Sequence, residues 1–369
     1  MTRLDALYLE HGQSPWIDNI RRDWLIDGTL RDLVNAGVRG VTSNPSIFAK
    51  ALATSSTYDD AIALSTARNA EALFEELAVK DVRDACDVLR SVYDASQREF
   101  AAGVNRSCDG FVSLEVSPRL AHDTAGTIAA VKRLALAVDR PNVMIKIPGT
   151  LAGLGAVTAS IAHGISVNVT LIFSLERYGQ VIDAYLLGLK DASKNSVDIS
   201  QIASVASFFV SRVDTAIDPL LQAHPTLRGH SAIGQVAAAY EMYLERFDRA
   251  DARELLSARA QVQRPLWAST STKNPAYHEL LYVEPLIAPE TVNTMPDATL
   301  DAFRDRGDVA APGISTPAER HSMMQQFSRV GDVIDVAAVT TQLEREGVAA
   351  FEASYLELLD LLTSKMSVN

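Results

Sequence analysis

The sequence predicts a single (β/α)8 TIM-type barrel, and three observations carry that expectation. Short apolar runs alternate with longer segments of 3.6-residue periodicity nearly from end to end. Eight such runs can be counted, enough to close a barrel. No glycine-rich dinucleotide fingerprint follows the early runs, so an open doubly wound sheet is less well supported. The length of 369 residues suits one large barrel, and 47% hydrophobic content supplies its core.

The expected strands are PWIDNI (15–20), VRGVTSN (38–44), DGFVSLEVS (109–117), NVMIKIPG (142–149), ISVNVTLIF (165–173), ASVASFFVSRV (203–213), RPLWAST (264–270) and LLYVEPLI (280–287). Helical periodicity fills most intervals, as in residues 70–95 and 233–247. GTLAGLGA (149–156) lacks the Walker pattern and reads as a tight strand-to-helix turn. No repeat, low-complexity tract or linker divides the chain, so 1–369 is taken as one domain. Residues 301–369 form an extension: an irregular connection over 301–316, then a long helix over 342–365 whose apolar spacing indicates packing on the barrel.

Composition narrows the function. With 34 basic and 46 acidic residues, a net charge of -12 argues against nucleic acid or a membrane surface as the main partner. The two cysteines, Cys86 and Cys108, have no CxxC spacing, which disfavours a disulfide scaffold or a cysteine-built zinc site. The histidines show no HxH or HExxH spacing. The N-terminus lacks the apolar core of a signal peptide, and no apolar run reaches the roughly 18 residues a membrane helix needs. A cytoplasmic location is expected.

NVMIKIPGT contains an ammonium where a strand covered on both faces would be apolar. A lysine in a strand ordinarily lies at an exposed edge or snorkels to water. A desolvated lysine, however, can become a nucleophile, because burial works against the charge that an amine of pKa about 10.4 otherwise keeps. Side-chain parity decides between these roles. Ser166, Asn168 and Thr170 share one face of their strand, Ser113 and Glu115 one face of theirs, and Thr42 and Asn44 lie together near a third strand's end. Asp18 joins them from the first strand. Burying such groups without partners costs roughly 1–3 kcal/mol each. Their convergence at C-terminal strand ends, where barrel enzymes place their sites, favours a covalent-lysine, proton-handling centre around Lys146. Glu115 with Thr170 suits the loss of water from a carbinolamine, and Asp18 suits proton exchange with a substrate hydroxyl. ASTSTKNP (268–275), with Ser269 and Lys273, and Arg212 of FVSRV offer donors for a phosphate.

From about Trp16 to Pro289, through WID, GVTSNPSIF, FVSLEVSPRLAHDT, VMIKIPGT, ISVNVTLIFS, SFFVSRVD and WASTSTKNP, the chain resembles the transaldolases, in particular their longer bacterial branch. That resemblance implies a (β/α)8 barrel needing neither metal nor organic cofactor. It implies that Lys146 is the Schiff-base lysine, Asp18 the acid/base of carbon–carbon cleavage, and Glu115 with Thr170 the holders of the catalytic water. Asn44 and Asn168 would bind the dihydroxyacetone fragment, Arg212, Ser269 and Lys273 the phosphate, with Ser207 and Phe209 lining the site. The implied reaction belongs to the pentose phosphate pathway. It moves a dihydroxyacetone unit from sedoheptulose 7-phosphate to glyceraldehyde 3-phosphate, giving erythrose 4-phosphate and fructose 6-phosphate. Small sugar phosphates would be the partners, with the chain a monomer or a homodimer. Two alternatives are a fructose 6-phosphate aldolase-like enzyme, whose relatives tend to carry tyrosine at the position of Phe209, and a non-catalytic sugar-phosphate-binding barrel.

Overall fold

The computed structural model describes residues 1–368. Seven parallel strands run β1 (Gln13–Ile17), β2 (Val112–Glu115), β3 (Val143–Pro148), β4 (Val167–Ile172), β5 (Ser204–Phe209), β6 (Gln263–Ala268) and β7 (Thr291–Met295). Their order in the sheet is β1-β7-β6-β5-β4-β3-β2. The two ends meet through residues 39–42. Val41 bridges in parallel to both Ile17 and Val112. Its N–H donates to the Phe111 carbonyl at 2.9 Å, and its own carbonyl accepts from Ser113 N–H at 2.9 Å. The Gly40 carbonyl accepts from Ile17 N–H at 3.0 Å. This short eighth stave closes the barrel, as expected.

Every residue of the seven strands is buried. Helices cover the outer faces, so the strands can be apolar without alternation. At the N-terminal end, Asp109 collects Trp16 Nε1 at 2.8 Å, Arg39 Nε at 3.0 Å, Arg264 Nη2 at 3.2 Å and the Ser14 hydroxyl. Opposed charges and fully used lone pairs close that end of the barrel.

Two expectations need correction. LLYVEPLI is not a strand: it forms turns and a 3-10 helix at Glu284–Leu286, and the last strand is TVNTM, 291–295. The apolar residues of 280–287 are buried because their connection packs inward, with Leu280, Val283 and Leu286 wholly enclosed. The true strand carries polar side chains that find partners inside. Thr291 Oγ1 donates to the Ala288 carbonyl at 2.6 Å, and Asn293 Nδ2 donates to the Tyr282 carbonyl at 3.2 Å. The connection 301–316 is irregular only from Gly307, because the helix Asp297–Arg306 extends into it.

The C-terminal helix spans Val336–Val368, longer than the expected 342–365. It packs on the helices Pro45–Thr54, Ala70–Val88 and Ser211–Ile217 and on β4, which places it across the C-terminal end of the barrel. Among the described residues, no helix is long and apolar enough to cross a membrane.

Candidate active site

Lys146 and Glu115 are paired across the β2–β3 ladder. Lys146 Nζ lies 3.4 Å from Glu115 Oε2, with both side chains almost wholly buried, and Nζ also donates to the Ser43 carbonyl at 3.1 Å. Burial pushes the Glu115 carboxyl up to about 7, against the pull of the lysine. Asp18 directly follows β1 and accepts from Thr42 Oγ1 at 2.6 Å. Burial raises its pKa too, opposed by Lys146 and by the Thr42 bond.

Thr170 keeps the inward parity of Asn168, in unbroken register with Pro148 of β3, and the backbone beside it is irregular. The β4–β5 register shifts between Val169 and Ile172, and Leu171 adopts φ 60°. A bulky residue in the left-handed region is uncommon, and a bulge of this kind re-aims the neighbouring side chains. Thr170 lines the same cavity as Lys146.

That cavity measures about 150 Å³. It is lined by Asp18, Asn44, Lys146, Thr170, Ser207, Phe209, Arg212, Ser269 and Lys273, all expected from the sequence. Asn44 also caps the helix Pro45–Thr54, its Oδ1 accepting from Ile47 N–H at 3.1 Å, which leaves its NH2 group as the free donor. Arg212 opens the helix after β5, its guanidinium 5.4 Å from the Phe209 ring centroid. Ser269, at φ 57°, shares a 3.0 Å hydroxyl contact with Ser211, and Lys273 Nζ donates to Ser271 Oγ at 2.6 Å. Asp18 is the one carboxylate among the described residues that line the cavity with them.

Two expected residues lie elsewhere. Asn168 sits below the cavity, where its Nδ2 donates to Ser113 Oγ at 3.0 Å and its Oδ1 accepts from Ser207 Oγ at 2.7 Å. Glu115 reaches Lys146 from the side of a second cavity of about 640 Å³, bounded by the helices Ala70–Val88 and Thr124–Val138. Conversely, Thr294 and Phe351 line the small cavity without having been expected there, and Thr42, expected only as an inward neighbour of Asn44, lines it too. Thr42 had a legible signal in its inward parity with Asn44. Thr294 was hidden by the misplaced last strand, and Phe351 by its place on the apolar stripe of a helix read as packing. Among the described residues, no group of three or more His, Cys, Asp or Glu could hold a metal ion.

A closed α/β barrel with a buried lysine–carboxylate pair at the C-terminal mouth, and cationic and hydroxyl donors beside it, has the arrangement of a barrel enzyme's active site. Residues 15–362 match the family model described as transaldolase/fructose-6-phosphate aldolase. Transaldolase 1 of Streptomyces coelicolor is 48% identical over 366 residues, covering 97% of this chain and 93% of that protein. The transaldolase of Saccharopolyspora erythraea is 46% identical, covering 99% and 98%, and that of Mycolicibacterium smegmatis 48% identical, covering 95% and 94%. The chain belongs to the transaldolase/fructose-6-phosphate aldolase family.

Proposed function

We propose that this chain is a transaldolase that transfers a dihydroxyacetone unit between sugar phosphates through an imine on Lys146. The observation that carries the reading is the buried Lys146–Glu115 pair, 3.4 Å apart at the barrel mouth, in a chain of this family. The Lys146 amine adds to the ketose C2 carbonyl and the carbinolamine loses water, leaving a protonated imine. Asp18 takes the C4 hydroxyl proton while the C3–C4 bond breaks and its electrons pass into the imine. The aldose leaves, and the enamine C3 then attacks the aldehyde of the second sugar as Asp18 returns the proton. Hydrolysis of the new imine frees the lysine.

The water of the dehydration and hydrolysis steps falls to Glu115 and Thr170. Beyond the ion pair, neither Glu115 oxygen nor the Thr170 hydroxyl has a hydrogen-bond partner among the described residues. Buried groups left over by the protein in this way suit a bound water or the substrate itself. A carboxyl of pKa about 7 can both give and take a proton at neutral pH. Arg212, Ser269 and Lys273 would hold the phosphate, and Asn44 and Ser207 the hydroxyls of the three-carbon unit. Asn168 would orient Ser207 from below.

Borohydride reduction in the presence of fructose 6-phosphate, followed by peptide mapping, tests the mechanism. An adduct on Lys146 is expected, and no adduct, or one on another lysine, would sink it. Supplying fructose 6-phosphate alone and then an aldose acceptor separates a transferase from an aldolase, since only the latter turns over rapidly without the acceptor.

A further inference from the structure

The C-terminal helix brings a ring to the reacting nitrogen. Phe351 is 5% exposed, lines the cavity with Asp18, Lys146 and Thr170, and its ring centroid lies 5.6 Å from Lys146 Nζ. Gly347, one turn earlier on the same face, lets the helix lie close there. A Cβ there would lie 3.1 Å from Phe173 Cε2 and 3.2 Å from Leu171 Cδ2, side chains at the end of β4. The helix is fastened on several sides of the mouth. Arg177 Nε pairs with Glu344 at 3.2 Å, Ser46 Oγ donates to Ser354 Oγ at 2.8 Å, and Lys365 Nζ donates to Asp59 at 2.7 Å.

We propose that Phe351 is a specificity-determining residue, the cover that makes the enzyme hold its three-carbon unit for a second aldose instead of releasing it. The inference rests on the imine reading above. After the first aldose leaves, the enamine carbon on Lys146 has two fates. It can attack the acceptor aldehyde, forming a new C–C bond, or it can take a proton from water. In the second case the resulting imine is hydrolysed, water adding to C2 and the amine departing, and dihydroxyacetone is lost. An apolar ring packed over the amine end of a 150 Å³ cavity excludes the bulk water that would supply that proton. Productive turnover needs one water, on the side of Glu115 and Thr170, so a cover on the helix side does not obstruct it. The ring also presents π electrons near the nitrogen that carries the positive charge of the protonated imine.

The test is the ratio of acceptor-free dihydroxyacetone release from fructose 6-phosphate to transfer onto an aldose acceptor, measured on the same preparation. F351A should raise the ratio by about tenfold or more, because water reaches the enamine through the opened side. F351L, which keeps an aliphatic cover of smaller size, should raise it less, and it carries the test if F351A loses its folded circular dichroism. An unchanged ratio in a folded variant, with both rates falling together, would show that Phe351 only packs, and would overturn the inference. Borohydride trapping in parallel keeps the two readings apart. An adduct on Lys146 with an unchanged ratio defeats the cover alone, whereas no adduct in the unaltered protein defeats the imine on which it rests.

Discussion

Lys146 could be recognised in the sequence because its strand offers no reason for a charge, and Glu115 because parity places it inward on another strand. Their separation of 3.4 Å could not be read, since it depends on the β2–β3 register. The pair makes a sharp prediction. Glu115→Gln removes the group that titrates near 7 and should slow imine formation by roughly 10²–10⁴-fold. It should also erase the inflection near neutral pH from the pre-steady-state rate, while borohydride still traps Lys146 on long incubation. Retention of that inflection would assign the titration to another group. Lys146→Ala should abolish transfer and trapping while the far-ultraviolet circular dichroism stays native; loss of that spectrum would make the lysine structural. Lys273 is exposed, and its Nζ donates to Ser271 Oγ at 2.6 Å. Its replacement by alanine should raise KM for phosphorylated ketoses roughly ten- to a hundredfold, with trapping by unphosphorylated dihydroxyacetone unaffected. An unchanged KM would move the phosphate elsewhere.

At the scale of elements, the connection between β6 and β7 holds the side of the cavity proposed to take the phosphate. Tyr282 donates its hydroxyl to Asp214 Oδ2 at 2.9 Å, and Tyr277 donates to Asp218 Oδ2 at 2.6 Å. These bonds tie the loop carrying Lys273 to the helix Ser211–Ile217 carrying Arg212. The apolar character of LLYVEPLI reports burial, not extension, and nothing in its periodicity separates the two. TVNTM escaped notice for the converse reason, its polar residues being buried and partly bonded inside. Burial lifts the Asp214 carboxyl from its ordinary range to about 7, although Ala232 N–H and Tyr282 donate to it. A carboxyl raised on folding stabilises the native state fully below its unfolded pKa, and that contribution is lost as pH rises through the folded value. Between pH 4 and 7, then, the unaltered protein should lose stability relative to Asp214→Asn, by at most about 4 kcal/mol, and the difference should level off above 7. Urea denaturation across this range checks the sign; a gap that moves the other way would mean that Asp214 is an ion in the folded protein.

Across the whole molecule, the barrel separates its two ends by task. Alternation of strands and helices and the count of eight runs made the closed barrel legible, but not that its eighth stave would contribute only the short stretch around Val41. The C-terminal helix was legible as a helix packed on the barrel and not as one that crosses its C-terminal mouth, since an apolar stripe does not say which surface it meets. At the far end, no part of the chemistry proposed above uses Asp109, which is buried with Arg264 and Arg39 as its charged partners. Burial alone would raise its pKa, yet those guanidinium groups and the bonds from Ser14 and Trp16 hold it below the ordinary carboxylate range. A depressed carboxyl contributes stability above its unfolded pKa and loses it as pH falls through the folded value. Asp109→Asn should therefore cost about 3–5 kcal/mol at neutral pH, because buried Arg264 and part-buried Arg39 lose their counter-charge. The gap to the unaltered protein should persist from pH 7 down to about 4 and narrow only below it. Wherever the variant is folded, KM and the trapping of Lys146 should match the unaltered protein, since the change lies at the opposite end of the strands from the cavity. A fall in kcat in fully folded Asp109→Asn would show that the two ends are mechanically coupled, and that the division of tasks does not hold for this barrel.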